Sequence, residues 1–516
     1  MAMRGRGRRL VLAGAGLATI AAPGGAETLR EAMIKAYQGN PTITAQRAAQ
    51  RATDEGVPIA RAGGLPSVSL SGGYTENVLS PSNGDLGDDN NSFSNPARRA
   101  NGTAQLAVPI FRGGSVRNGI AGAETRVEAG RATLRGTESD LFTAVVASYL
   151  DVIRDEAIVS LNQQNVRVLE VNLQASRDRF QVGDLTRTDV AQSEARLALA
   201  RSQLQTAEAQ LITSRETYVR VVGTPPTALQ EPPALPALPP APGDAVVVAL
   251  RNNPQLLASQ RLRDATRYDV GVARAARLPT LDAVIGGNYT NYLGALGAGT
   301  NIPVGQGSTS GTVGLSLTVP LFQGGRPAAQ VRRAQALQSQ AIENATSTER
   351  AIVAQTRSAY ASWRSAQEVI ASSEIAVNAN KLSLEGVRAE NSVGTRTILD
   401  ILNAEQELLN SQVTLVTARR NAYVAGFALI AAMGNAEARD LGLDGGALYD
   451  PIANYKRVRN RINDFDSDEE PAGVALSTAA TPAQDARVTR KLDPMLDTPV
   501  DRTPGLTTGA SAPNRQ

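Results

Sequence analysis

The sequence predicts an α+β membrane protein that is built by tandem duplication of one unit, in which short strands alternate with very long helices. Three observations support this fold class. The second half of the chain repeats motifs of the first half at an offset of roughly 210 residues. Each half changes from a strand period to a helix period, and a leader typical of exported proteins comes first.

Residues 1–26 form the predicted signal peptide. Four arginines and no acidic residue occupy the first nine positions, an apolar run extends from Leu10 to Ala22, and small residues end at Ala26. This order of a basic region, an apolar region and a small-residue cleavage site is typical of a secretory signal. A membrane-spanning helix would need about 20 apolar residues, and this run is shorter. We therefore expect the mature chain to begin at Glu27.

The composition of the 516 residues excludes several classes of enzyme. The chain has no cysteine and no histidine, which rules out disulfides, Cys/His zinc sites, a cysteine nucleophile and histidine-based acid/base catalysis. The net charge of +3 comes from the leader, because 48 basic residues face 49 acidic ones once its four arginines are removed. The basic pI therefore does not indicate a nucleic-acid partner.

The internal repeat is carried by matching motifs in the two halves. The matches include Asn40-Pro41 with Asn253-Pro254, Leu65-Pro66 with Leu278-Pro279, Val182-Gly183 with Val393-Gly394, and Gly223 with Gly434. The predicted division is a first structural repeat over 27–223, a proline-rich linker over 224–243, a second structural repeat over 244–434, a C-terminal equatorial segment over 435–460 and a disordered tail over 461–516. The tail is predicted to be disordered because acidic residues, and then Pro, Thr and Ala, replace any periodic apolar pattern.

Each half contains two stretches in which apolar residues alternate with small or polar ones. These stretches lie around residues 67–74, 103–108, 280–289 and 312–319. Four such strands suit a barrel with lipid outside and water inside, although a soluble antiparallel sheet with a dry core would show the same pattern. Polar residues over 77–101 and 291–310 are expected to form long extracellular loops. Since the smallest barrels have about eight strands, a chain with four must form an oligomer.

After each strand pair the apolar period becomes helical. No proline interrupts residues 110–224, and a helix over about 114–181 would be roughly 100 Å long at 1.5 Å per residue. The further predicted helices cover 28–61 and 244–276 ahead of the strands, 327–392 as a second long helix, and 186–222 and 396–433 as return helices. The helix pattern alone fits a coiled-coil rod equally well.

Several motifs resemble those of the TolC-like outer-membrane channel family. The segment from Ser392 to Asn403 is similar to that family's second-repeat helix tip, and Val182-Gly183 followed by Thr188-Asp189-Val190 is similar to the first-repeat tip. The two Pro-(Ile/Leu)-Phe-x-Gly-Gly segments, at 109–114 and 320–325, resemble its strand-to-helix junctions. Residues 448–455 resemble the C-terminal segment of members that serve protein secretion. The resemblance covers about residues 27–460.

The resemblance implies a homotrimer in the outer membrane of a Gram-negative bacterium. Each protomer would give four strands to one twelve-stranded β-barrel, and the helices would continue it as a long periplasmic α-helical barrel with a closed entrance. Members of the family are passive exit ducts of efflux or type I secretion systems, without enzyme chemistry or cofactors. The implied partners are a periplasmic membrane-fusion adaptor, an inner-membrane ABC or other efflux pump, and outer-membrane lipid.

The resemblance also implies functional residues. The implied gate or constriction residues are Asp400, Asn403, Arg396, Thr188, Asp189 and Asn391. The implied strand-to-helix junction residues are Pro109, Gly113, Gly114, Pro320, Gly324 and Gly325. Gly183 and Gly394 are expected to allow the positive φ of tight helix reversals. Arg396 lies one helical turn before Asp400, the spacing of an exposed ion pair, and in the family its counterpart ties neighbouring tip helices together.

This chain departs from the family pattern at two gate positions. Asn391 stands where the family often has a tyrosine, and Asn403 stands where it often has a second aspartate. Three copies of Asp400 would therefore form the only acidic ring at that constriction. Two other functions compete with the exit duct: a secreted structural coiled coil, and an enzyme that uses an Asp/Glu pair. No carboxylates stand in a recognisable catalytic spacing, so we expect the chain not to be an enzyme.

Overall fold

The structure is a computed structural model that describes residues 26–76, 78, 98–293, 306–443, 448–488 and 490–497. The predicted signal peptide, apart from Ala26, lies outside the described residues. So do most of the two predicted extracellular loops and residues 498–516 of the tail.

The described residues contain ten helices and four strands. In chain order these are α1 (Leu29–Gly39), α2 (Pro41–Asp54), α3 (Gly56–Ala62), β1 (Ser67–Glu76), β2 (Arg98–Phe111), α4 (Ser115–Gln181), α5 (Arg187–Val222), α6 (Pro242–Asn252), α7 (Pro254–Ala275), β3 (Thr280–Tyr292), β4 (Gly307–Thr318), α8 (Arg326–Ser392), α9 (Ile398–Ala432) and α10 (Pro451–Val458). The same order of short helices, two strands, a long helix and a return helix occurs twice.

The short helices that precede each strand pair are interrupted, whereas the sequence predicts one helix in each place. One interruption in each repeat falls at the Asn-Pro motif, and the first repeat has a further one at Glu55. Asn40 accepts a hydrogen bond from the amide of Thr42 at 2.8 Å and so caps α2. Asn253 caps α7 in the same way, through the amide of Gln255 at 3.0 Å. Because proline is suited to the first turn of a helix and asparagine to the cap, this pair ends one helix and starts the next.

The four strands form one antiparallel sheet in the order β1-β2-β3-β4, so β2 and β3 join the two repeats. The alternating apolar residues of the outer strands point away from the protein. Val68 and Leu70 on β1 are 79% and 82% exposed, and Val313 on β4 is 82% exposed. A soluble sheet with a dry core would bury this face, and the described chain does not. Both outer strands also keep one edge unpaired within the described residues.

The two strand-to-helix junctions differ in the position of their proline. Gly113 and Gly114 have φ angles of 60° and 82° directly before α4, and the equivalent pair precedes α8. Pro320 lies beyond the end of β4. Pro109, in contrast, lies within β2, where the register with β3 shifts between Pro109 and Phe111. Pro109 therefore enters the junction from the last residues of β2, where a residue without an amide donor is tolerated at such an irregularity.

The long helices α4 and α8 have 67 residues each, which corresponds to roughly 100 Å at 1.5 Å per residue. Each folds back on its return helix, so the chain forms one hairpin of α4 and α5 and a second hairpin of α8 and α9. Helix α4 packs against α5 of its own hairpin and against α9 of the second hairpin, whereas α8 is exposed along most of its length. In the described part of the chain, no helix is both long and apolar enough to cross a membrane.

The proline-rich linker lies on the surface of the helices. Its prolines have no amide donors, so its backbone binds mainly through carbonyl groups, which accept hydrogen bonds from tyrosine hydroxyls. Tyr149 donates to the carbonyl of Gln230 at 2.6 Å, and Tyr423 donates to the carbonyl of Pro233 at 3.0 Å. Burial raises the pKa of both tyrosines, so both remain protonated donors at neutral pH. These contacts join the linker to the long core that surrounds α4.

Residues 461–488 and 490–497 of the predicted disordered tail form no helix or strand. The end of this stretch lies against the helices, where Leu496 is only 2% exposed. Composition alone does not reveal this contact, because it depends on one buried leucine and on ion pairs. Arg215 and Arg419 supply such pairs, to Asp485 and Asp493 respectively.

Candidate functional site at the helix tips

The first hairpin reverses direction through a Schellman turn. Gly183 has a φ of 89°, and its amide donates to the carbonyl of Phe180 at 3.1 Å. The next amide, of Asp184, reaches back to Arg179 at 2.9 Å. This pair of bonds satisfies carbonyls that the helix end leaves without partners, and it requires a left-handed residue at the position of the glycine.

The second hairpin has the same turn. Gly394 has a φ of 81°, its amide donates to Asn391 at 3.0 Å, and the amide of Thr395 donates to Glu390 at 3.0 Å. The Val-Gly match between the repeats therefore corresponds to one local geometry used twice. Both glycines adopt the positive φ that the sequence predicts for these turns.

A capping box follows each turn and starts the return helix. In the second tip, the amide and the hydroxyl of Thr397 donate to Oδ2 of Asp400 at 2.9 and 2.8 Å. In the first tip, Thr186 makes the same two bonds to Oδ2 of Asp189, at 2.9 and 2.7 Å. Each aspartate is therefore the third residue of its helix and part of the cap. The sequence motifs predicted a gate role for Asp189 and Asp400, whereas their role in capping α5 and α9 is visible only in the structure.

The caps shift the titration of both aspartates in one direction. Hydrogen bonds from the amide and hydroxyl of Thr397, with a smaller contribution from the positive charge of Arg396, hold the pKa of Asp400 below its usual range. The hydroxyl and amide of Thr186 lower the pKa of Asp189 in the same way. Both carboxylates are thus ionised at neutral pH, with one oxygen engaged in the cap.

Arg396 pairs within its own turn. Its Nε donates to Oε2 of Glu390 at 2.7 Å, and both side chains are about half exposed. The helical spacing suggested Asp400 as the ion-pair partner, but the capping box occupies that carboxylate. Asn391 belongs to the same small network, since its Nδ2 donates to the carbonyl of Arg396 at 2.7 Å. Within one chain, Arg396 and Asn391 brace a single turn.

Asn403 connects the two hairpins. Its Oδ1 accepts a hydrogen bond from Nη2 of Arg196 on α5 at 2.7 Å. The neighbouring Leu402 is 2% exposed and packs into a cluster with Leu169 and Leu197 of the first repeat. The tips of the two hairpins are therefore in contact in this structure. Arg196 was missed by the sequence analysis, because neither a motif nor the repeat distinguishes it.

Three residues of the tips remain open to solvent. Thr188, in the first turn of α5, is exposed and has no hydrogen-bond partner within the described ranges. Val182 and Val393, the cap residues before the two turn glycines, are 74% and 73% exposed. An exposed valine at the same place in both repeats is an apolar contact point.

The chemically notable features of the tips are their charged side chains and their exposed apolar side chains. Among the described residues, no group of three or more acidic side chains is placed to hold a metal ion. Each tip presents a capping aspartate after a hydrogen-bonded turn, together with an exposed valine. Such an arrangement suits electrostatic selection and docking.

Comparison with known proteins identifies the class to which this fold and these tips belong. A family model described as outer membrane efflux protein matches residues 33–224 and 245–435, one segment in each repeat. The chain therefore belongs to the outer membrane efflux protein family and is an outer-membrane protein. This location excludes the alternative of a secreted coiled coil.

The similar proteins cover nearly the whole chain. Outer membrane efflux protein BepC of Brucella suis is 34% identical over 84% of this chain and 91% of its own length. Outer membrane protein TolC of Escherichia coli is 28% identical over 91% of this chain and 96% of its own length. The outer membrane channel CmeC of Campylobacter jejuni superposes with a TM-score of 0.69 at 15% identity, over 84% of this chain and 90% of that one. The predicted family is confirmed, and so is the predicted TolC-like fold of a tandem duplication with long helices and a four-stranded sheet.

Proposed function

We propose that three copies of this chain form the exit duct of a tripartite efflux system, which passively conducts small toxic compounds from an inner-membrane pump and a periplasmic adaptor to the exterior. The observation that carries the proposal is the polarity of the molecule. An exposed apolar sheet lies at one end of helices of roughly 100 Å, and two rigid, capped tips lie at the other. A duct that crosses the outer membrane and reaches towards the inner one needs both ends.

The sheet supports closure by three copies. Strands β1 and β4 are the outer strands, so β4 of one protomer can pair with β1 of the next. This head-to-tail pairing repeated three times gives twelve strands, above the minimum of about eight for a barrel. It also removes the open edges, whose unpaired amide and carbonyl groups would be costly in lipid.

The tips support a gate. In a three-fold assembly, Asp400 from each protomer forms a ring of three carboxylates, and Asn403 contributes no charge. The contact of Asn403 with Arg196 instead ties the second hairpin to the first. We place Thr188, Asp189, Asn391 and Arg396 around the same entrance, where the turn networks fix their positions. Lowering the dielectric around such a ring strengthens its attraction for cations.

The tips also support recruitment of an adaptor. Val182 and Val393 are exposed on turns that the Schellman bonds hold rigid, and their equivalent positions produce six similar contact points in a trimer. Repeated apolar points around a ring suit a partner that is itself a ring of repeated hairpins. We assign this surface to the periplasmic adaptor, which in turn contacts the pump.

A second candidate cargo is a polypeptide secreted by a type I system. It is favoured by residues 448–455, which resemble the C-terminal segment of family members that serve protein secretion. In this structure the segment acts as a brace: the guanidinium of Arg47 lies 4.4 Å from the ring centre of Tyr37 and 5.1 Å from that of Tyr449. Because Tyr449 has this structural role, its presence says little about the transported substrate. The relative BepC is named as an efflux protein, which favours small molecules as the substrate.

A deletion strain tests the proposal. Loss of the chain should sensitise cells to toxic compounds and leave the profile of secreted proteins unchanged, and the wild-type chain should restore resistance. A strain that carries Val182→Asp and Val393→Asp should keep the protein in the outer membrane but remain sensitive. If the deletion strain keeps its resistance but no longer secretes one of its proteins, the chain serves protein secretion and the proposal of efflux is wrong. Unchanged behaviour in both assays would contradict the duct.

A further inference from the structure

The end of the described chain forms an extended segment that crosses both hairpins. We name residues 482–497 the C-terminal strap; residue 489 lies outside the described part. The described residues of the strap have no regular secondary structure apart from a turn near its end. The strap contacts α5 near its beginning, and near its end it contacts α9 together with α4. It therefore touches both repeats.

The first anchor of the strap is Arg215 on α5. Its Nη1 donates to the carbonyl of Asp485 at 2.7 Å, and its Nη2 donates to the carbonyl of Arg487 at 2.8 Å. The side chain of Arg215 is 9% exposed and also pairs with the buried Glu156 at 2.5 Å. A buried guanidinium needs partners for its donors, and the strap supplies two backbone carbonyls. Release of the strap would leave these donors uncompensated.

The second anchor lies on α9. Leu496 is 2% exposed and packs into an apolar cluster that contains Leu161 of α4 and Leu408 of α9. Nε2 of Gln412 donates to the carbonyl of Leu496 at 2.8 Å. Asp493 pairs with Nη1 of Arg419 at 2.6 Å. Apolar burial and two polar contacts thus fix this end of the strap in one register.

The length of the strap limits how far the anchors can separate. Eleven peptide units join residues 485 and 496, and a fully extended chain of that length spans at most about 40 Å. A displacement of the α8–α9 hairpin relative to the α4–α5 hairpin that would part the anchors beyond this span must break one of them.

We propose that the C-terminal strap is a lock that holds the two hairpins in the arrangement in which their tips are in contact, and so keeps the entrance of the duct closed. This inference rests on the proposed function. The contacts of Leu402 and Asn403 with the first repeat close the tips locally, and the strap secures the same relation between the hairpins closer to the sheet. Opening requires both sets of contacts to yield.

Planar-bilayer recordings of the full-length trimer test the lock with a matched pair of variants. Leu496→Asp places a carboxylate in the apolar cluster and should release the strap. Leu476→Asp makes the same substitution in the same tail at a side chain that is 90% exposed. Because burial of one leucine shifts an equilibrium by roughly tenfold or more, we expect Leu496→Asp to raise the ratio of open to closed time about tenfold. Leu476→Asp should match the wild type.

A second pair keeps the test decisive if Leu496→Asp does not assemble. Asp493→Ala removes the ion pair with Arg419 and leaves the core intact, and Glu470→Ala is its exposed control on the tail. Only Asp493→Ala should raise the open time. Wild-type gating in Asp493→Ala and in any Leu496→Asp that assembles would overturn the lock and leave the duct standing. Absence of conductance in the wild type and in the assembled Asp493→Ala trimer alike would overturn the duct itself.

Discussion

At the scale of the residue, one side chain at the tip has a role in the fold and a proposed role at the entrance. Asp400 caps α9 through Oδ2, and in the proposed duct its charge belongs to a ring at the constriction. The two roles require different properties, since the cap needs an acceptor oxygen and the ring needs a negative charge. Substitutions that keep one property and remove the other therefore separate them.

The substitution Asp400→Asn should weaken block of the channel by multivalent cations. The amide oxygen still accepts the hydrogen bonds of Thr397, so the tip should keep its structure, while three negative charges leave the entrance. Planar-bilayer recordings with a trivalent cation should show most of the block removed. Glu470→Gln is the matched control, because it removes the same number of charges at an exposed site on the tail. Unchanged block in Asp400→Asn would show that Asp400 is not at the constriction.

The pH dependence of the same block follows from the cap. Hydrogen bonds from Thr397 lower the pKa of Asp400 in the folded chain, so the cap contributes stability above the unfolded pKa and loses it as the pH falls through the folded value. We expect block to be constant from neutral pH down to the ordinary pKa range of an aspartate and to fall only at more acidic pH. A midpoint above that ordinary range would show that repulsion among the three carboxylates outweighs the cap.

At the scale of the element, equivalent positions of the two repeats carry different constraints. Gly223 and Gly434 both follow a return helix with positive φ, at 92° and 78°. A side chain at Gly223 would meet no atom within 4 Å, whereas a Cβ at Gly434 would lie 2.5 Å from the carbonyl oxygen of Asn252. The repeat predicts the conformation of both glycines, and only the packing of the second repeat explains the close approach.

Alanine at these two glycines should therefore have unequal effects. Both substitutions place a Cβ in the left-handed region, which costs about 1–2 kcal/mol. Gly434→Ala additionally forces α6 away from the end of α9 and should be clearly the more destabilising. Thermal unfolding of the detergent-solubilised variants measures the difference. Equal shifts of the unfolding temperature would contradict the packing described at Gly434.

The sequence predicts those elements that depend on local patterns. The duplication, the four strands, the two long helices and the tip turns follow from periodicity and from glycine and proline at fixed offsets. The bond between Arg196 and Asn403 could not be predicted, because it joins side chains brought together only by packing of the two hairpins. The position of Pro109 within β2 depends on its partner strand, and the docked strap depends on a few buried contacts that composition averages away.

At the scale of the whole molecule, the single chain is incomplete. Its sheet has two open edges and an exposed apolar face, and α8 is exposed along most of its 67 residues. In the proposed trimer, a neighbouring copy related by the three-fold axis covers the sheet edges and α8. The apolar strand faces would then form a band for lipid, and the polar helix faces would surround an aqueous passage.

The mass of the native assembly tests this account most directly. The protein should be extracted from the outer membrane in a mild detergent and measured intact by native mass spectrometry. We predict a single species of three mature chains, since four strands per chain close a barrel only when copies share their edges. A stable monomer that retains its β-sheet in detergent would contradict the shared barrel, and with it the duct.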